Sequence, residues 1–215
     1  LFMPTAAADE KNRALVHKFL QHGIPVVMAD RVIPDLDIDK VITDNFDGAY
    51  RITRHLIDKG HTRIAIVINT LLNSARERLA GYKAAIKDSH LPVRPELIFT
   101  SDEHYSEENC SEIARMILSQ KRNYTAIFAE NDKMANIICA TAENDGLRIP
   151  RDLSIVGYDD APFIDNGPIR LTTMHQPIYE MGATSINLLL QRLAGDTSEK
   201  QTVILNSHIV ERESV

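Results

Sequence analysis

Ala126-Ile127-Phe128-Ala129, the polar step Glu130-Asn131-Asp132, and Leu153-Ser154-Ile155-Val156-Gly157 decide the fold class. The first and last runs are short and apolar, the pattern of strands buried on both faces of a sheet. The stretch 132–145 between them has apolar residues at helical spacing, and Gly146 ends it as a C-terminal glycine does. Strand, helix, strand with short connections is a right-handed βαβ unit with parallel strands.

The alternation continues on both sides. Toward the start the pattern predicts helices at 107–120, 77–89, 47–59 and 9–21, with strands at 97–100, 63–68 and 24–29 and a strand tail at 1–3. Toward the end it predicts a helix at 176–193, closed by Gly195, and strands at 202–205 and 208–210. The chain therefore reads as an α/β protein built on mostly parallel sheet. It opens on a strand tail followed by a helix, so preceding βα units are expected in the natural protein. Ligands of such sheets sit beyond the carboxyl ends of the strands. The residues there are Asp30, the segment 69–78, the segment 101–105, Asn131 and Asp132, and Asp159 and Asp160. Nearly all are polar, a lining suited to a hydroxyl-rich ligand.

Composition narrows the function. The 215 residues are 44% hydrophobic and 25% charged, with a formal net charge of −6. A chain that grips DNA by itself usually presents a basic surface, so DNA contact is not expected from this segment. No apolar run approaches the roughly 20 residues that span a bilayer, and Leu1-Phe2-Met3-Pro4 does not read as a secretory leader. Cys110 and Cys139 lie in helical stretches and read as reduced packing residues in a reducing compartment. His17 and His22 are five residues apart, poor spacing for two metal ligands on one helix face, and no metal or cofactor is expected. Asp159 and Asp160 are adjacent, so on an extended segment they point apart and would not share one substrate. No nucleophile elbow, phosphate loop or dinucleotide fingerprint occurs. An enzyme is not expected.

Several segments, in order, resemble the effector-binding domain of LacI/GalR transcription regulators. They are Gly23-Ile24-Pro25-Val26-Val27 with Asp30-Arg31, Asp44-Asn45-Phe46-Asp47-Gly48, Gly60-His61-Thr62-Arg63-Ile64-Ala65 and Arg78-Leu79-Ala80-Gly81-Tyr82. Phe128-Ala129-Glu130-Asn131-Asp132, Ile155-Val156-Gly157-Tyr158-Asp159-Asp160, Leu171-Thr172-Thr173 and Val210-Glu211-Arg212 complete the set. The resemblance implies a periplasmic-binding-protein-like fold of two doubly wound parallel-sheet lobes joined by three crossing strands, near Asp44, Met174 and Leu205. It implies a first lobe of 1–44 plus 175–204, incomplete at its start, and a second of 45–174 plus 205–215. A small polar effector, a sugar by preference, would bind in the cleft between lobes. Operator DNA would be read by a helix-turn-helix headpiece absent from this chain, in a cytoplasmic homodimer, with the helix bearing Met134 and Ile138 as a candidate interface or as core. The alternative is a periplasmic sugar-binding protein of a transporter, which shares the fold. Purines and phosphorylated sugars are also ligands of such domains.

The resemblance also ranks residues. Arg78 matches the arginine that holds the effector; the other reading is a surface arginine paired with Glu77. Asp159 matches a ligand carboxylate, against a helix-capping reading, while Asp160 is left to structure. Asn131 is assigned to ligand, since an amide donates and accepts as hydroxyls do, and Asp132 to capping. Asp30 and Gln176 match positions that often touch effector, with hinge hydrogen bonding equally open. Tyr105 falls where an aromatic often covers a sugar ring, against a packed loop tyrosine. Ser74 is a weaker candidate from the loop before Arg78. His175, beside Gln176, is left open.

Overall fold

The computed structural model describes residues 1–4, 9–101, 107–119, 123–161 and 167–215. In chain order the elements are α1 (Asp9–Gln21), β1 (Val27–Ala29), β2 (Asp39–Thr43), α2 (Asn45–Asp58), β3 (Ile64–Asn69), α3 (Asn73–Asp88), β4 (Ile98–Ser101) and α4 (Glu107–Ser119). Then come β5 (Ala126–Ala129), α5 (Asp132–Asn144), β6 (Ser154–Asp159), β7 (Thr172–His175), α6 (Ile178–Leu193), β8 (Thr202–Leu205) and β9 (His208–Val210). The chain divides into a smaller unit, Leu1–Asp44 with Pro177–Ser207, and a larger one, Asn45–Gln176 with His208–Val215. It passes between them after Asp44, Gln176 and Ser207. The later two passages fall two and three residues beyond the boundaries read from the sequence.

The larger unit carries a six-stranded sheet in the order β4-β3-β5-β6-β7-β9. Its pairs are parallel except β7 with β9. All six residues of β3 are buried, because helices cover both faces. Alternation sorts them: Ile64, Ile66 and Ile68 pack with Ile52 and Leu56 of α2 and Tyr82 and Ile86 of α3. Ala65 and Val67 pack on the other face with Ala114 and Ile117 of α4 and Met134, Ala135 and Ile138 of α5. Met134 and Ile138 are therefore core, both fully buried, and offer no interface surface. Cys110 and Cys139 are free and buried in the same cluster.

The smaller unit holds the parallel sheet β1-β2-β8. On one side Val16 of α1 packs with Val26 and Met28. On the other, Met181 and Leu188 of α6 meet Val27, Ala29 and Val41. Asp39, at the start of β2, is buried with Arg192 in a two-pronged ion pair of 2.8 and 2.9 Å. Burial works against the Asp39 carboxylate, but the bonds from Arg192 and the Gln201 amide outweigh it and hold its pKa below the usual value.

Two strands, β2 and β7, lie where the alternation pattern marked none but where the resemblance placed crossing strands, near Asp44 and Met174. Helix α3 begins four residues before the expected start, which moves Ser74 from a loop into the helix.

Candidate functional site

The carboxyl ends of β3, β5, β6 and β7 bring a connected set of polar side chains together in the larger unit. The turn after β6 sets it. Asp159 and Asp160 both take positive φ, 108° and 52°, a region L-residues seldom occupy and Asp tolerates better than most. That turn sends the two carboxylates to separate partners. Asp159 Oδ1 accepts from Gln176 Nε2 at 2.7 Å and from Arg78 Nη2 at 3.3 Å. Asp160 accepts from Arg212 Nη2 at 2.6 Å and pairs with His175 Nδ1 at 2.9 Å. Burial disfavours the Asp160 charge, yet the bonds from Arg212 and His175 prevail and lower its pKa.

Arg78 lies in the second turn of α3 and is 7% exposed, so the surface-arginine reading fails. Its Nε donates to Asn45 Oδ1 at 2.9 Å, and its Nη1 donates to the Glu130 carbonyl. The guanidinium carbon stands 3.6 Å over the centre of the Tyr158 ring, within cation–π reach. Helix α3 thus delivers one arginine that ties α2, β5 and β6 together. Glu130, at the end of β5, is buried, and its carboxylate accepts from the Asn69 amide.

The capping role expected of Asp132 belongs to Asn131. Helix α5 begins at Asp132, so Asn131 is its N-cap, its side chain accepting from the Met134 amide at 2.9 Å. Asp132 does not cap. Its carboxylate turns inward, accepting from Thr173 Oγ1 at 2.6 Å and from the Ala161 amide at 2.9 Å. A side chain at Gly157 would collide with it. Burial, and then the neighbouring charges of Asp159 and Asp160, raise its pKa to about 6 despite those two hydrogen bonds.

Of the residues ranked from sequence, Arg78, Asp159 and Gln176 are joined in one network, with Asn131 next to Glu130. Gln176 is 5% exposed. Ser74 is half-buried in the first turn of α3. Asp30 belongs to the smaller unit, at the carboxyl end of β1, with φ 63° and Arg31 Nε at 3.5 Å. Tyr105 lies outside the described residues. Sequence reasoning missed the roles of Asn45, Glu130 and Tyr158. The matched segments contained all three, but only tertiary contact reveals an arginine shared among them. Among the described residues no group of three or more His, Cys, Asp or Glu is gathered for a metal, and no helix is long and apolar enough to cross a membrane.

Two units built on mostly parallel sheet, between which the chain passes three times, with a polar network at the carboxyl edge of the larger sheet, fit a periplasmic-binding-protein-like domain. The family model described as a periplasmic binding protein-like domain matches residues 53–215. The repressor PurR, of helix-turn-helix type, from Klebsiella pneumoniae (strain 342) is 36% identical over 195 residues, which are 89% of this chain and 56% of that protein. The chain thus spans little more than half the length of this curated relative. A LacI-family regulator from Enterococcus faecium with bound ribose superposes with TM-score 0.86 at 29% identity, over 99% of this chain and 78% of that one. A LacI-family regulatory protein from Chloroflexus aggregans gives 0.81 at 32% identity, over 93% and 71%. The chain belongs to the LacI/GalR regulators, as their periplasmic-binding-protein-like effector domain.

Proposed function

We propose that this chain senses a small polar effector for a bacterial transcription regulator, with a sugar as the favoured class. The observation that carries this reading is the Arg78–Asp159–Gln176 network at the carboxyl edge of the larger sheet. Both donors converge on Asp159 Oδ1, and 34% of that side chain stays exposed. A carboxylate accepts from hydroxyls, while Gln176 and Asn131 amides both donate and accept. The ribose held by the Enterococcus relative is a ligand of the same chemistry.

Effector binding would be linked to operator binding through a helix-turn-helix headpiece, in a cytoplasmic homodimer. The linkage is reciprocal: whatever effector does to DNA affinity, DNA does to effector affinity. The two buried thiols suit a reducing compartment.

A thermal-shift panel of sugars, sugar phosphates, nucleosides and purines tests this. A ligand at about 100 times its Kd adds roughly 2.7 kcal/mol of stability, which gives a visible rise in melting temperature. A sugar is expected to produce it. A shift from purines alone would contradict the sugar class, and silence from a well-folded protein would contradict a small-molecule effector.

A further inference from the structure

Helix α6 has two apolar faces, and the smaller unit uses one of them. Met181, Ser185, Leu188 and Arg192 are buried, and Met181 and Leu188 pack with Val27 and Val41 of the sheet. On the opposite side Tyr179, Ala183, Ile186, Leu190 and Leu193 are all exposed, Tyr179 by 81% and Leu193 by 62%. They follow one another at intervals of four, three, four and three residues. That spacing keeps a single seam along the helix, about 21 Å long at 1.5 Å per residue. Exposed apolar side chains scattered singly are ordinary, but a continuous seam at heptad spacing is the pattern by which helices pair. The seam itself carries no charge. Glu180 is the one charged residue of α6 besides the buried Arg192.

We infer that the seam is a self-association surface, on which α6 of a second copy of this chain lies antiparallel across a two-fold axis at Ile186. The order of side-chain sizes selects this occupant. Antiparallel pairing sets Ile186 against its own copy, Tyr179 across from Leu193, and small Ala183 across from Leu190, so that the seam fills. Parallel pairing would set Ala183 against Ala183 and leave a void, with both Glu180 carboxylates at one level. In the antiparallel pair those carboxylates stand at opposite ends, and the flanking Asn187 and Ala194 are uncharged. A charge-free seam has nothing with which to steer a charged partner, whereas it complements itself. A two-fold contact of this kind closes and stops at two copies. The seam residues are far fewer than the roughly 20–30 a side of a standard interface, so the pairing is weak and depends on concentration. α6 belongs to the smaller unit, and the inference stands or falls independently of the effector reading.

The test is sedimentation of the full chain over a concentration series, beside Leu190→Glu, with diamide cross-linking of Ile186→Cys and Gln191→Cys. Two helices in contact at the axis bring a cysteine at 186 within disulfide reach of its copy, while position 191 lies off the seam. Cys110 and Cys139 are fully buried and add no background. Wild type is expected to gain mass toward a dimer as concentration rises, and Leu190→Glu to weaken the pairing about tenfold or more, since each copy would bury a carboxylate. Its melting temperature should stay near that of wild type, because the position faces solvent. Ile186→Cys should form a covalent dimer and Gln191→Cys should not. A wild-type mass that stays constant overturns the inference. A dimer that forms as readily in Leu190→Glu overturns it too, by placing the contact on another surface. If Leu190→Glu fails to fold, the cysteine pair decides: equal cross-linking at 186 and 191 overturns the inference, and linkage at 186 alone upholds it.

Discussion

Arg78 shows how much one side chain at this site holds in place. A guanidinium has donors in fixed directions, and here they fix Asn45, the end of β5 and Asp159 at once. From sequence, Glu77-Arg78 looks like a surface pair on a polar helix. Its burial depends on Tyr158 lying under it, which no local pattern records. Asp159 was legible because it follows a strand; its positive φ was not. Asp132 couples stability to pH. Its carboxyl titrates near 6 when folded, against 3.8 when exposed. The folded state thus binds this proton more tightly than the unfolded chain. Its contribution to stability is full below about pH 4, declines as pH rises through the window between the two values, and is gone above about pH 6. A pKa difference of about two corresponds to roughly 3 kcal/mol. Urea unfolding of wild type and Asp132→Asn at the two ends of that window should show wild type losing more stability, by up to that amount. Parallel profiles for the two proteins would show that Asp132 is ionised as easily folded as unfolded.

Helices and strands were legible in proportion to how locally they are determined. The expected bounds of β5 and α1 match the structure, because an apolar quartet and a glycine-ended amphipathic stretch are local signals. β2 and β7 were placed by the family resemblance, near Asp44 and Met174, and not by the local pattern, for a physical reason. β2 opens on Asp39, whose burial is made tolerable by Arg192 from α6, far along the chain. β7 is rich in threonine, and Thr173 is satisfied by Asp132 of α5. Polar residues at such positions look like loop until their distant partners are known. The α2–α3 pairing yields a test. A Cβ at Gly81 would collide with the Phe46 carbonyl and come within 2.9 Å of the Tyr50 nitrogen. Gly→Ala inside a helix ordinarily gains about 0.5–1 kcal/mol. Overpacking costs about 1–3 kcal/mol, and backbone cannot give way as a flexible side chain does. Gly81→Ala should therefore lower the melting temperature. A rise would mean that the two helices have slack to separate.

At the scale of the whole molecule, the order of motifs identified the family, and the family model and structural relatives bear that out. The formal net charge of −6 is the opposite of the basic surface expected of a segment that grips DNA by itself. On the proposed function, a small polar ligand is held at the carboxyl edge by Asp159 and its partners. The most direct test is calorimetric titration of the sugar that raises the melting temperature into wild type and into Asp159→Asn. Asparagine tolerates the same positive φ and removes only the charge, so melting temperatures without ligand should stay close. Asp159→Asn should lose affinity by about tenfold or more, the scale of a charged hydrogen bond. Equal affinity in the two proteins would contradict it and move the ligand away from Asp159.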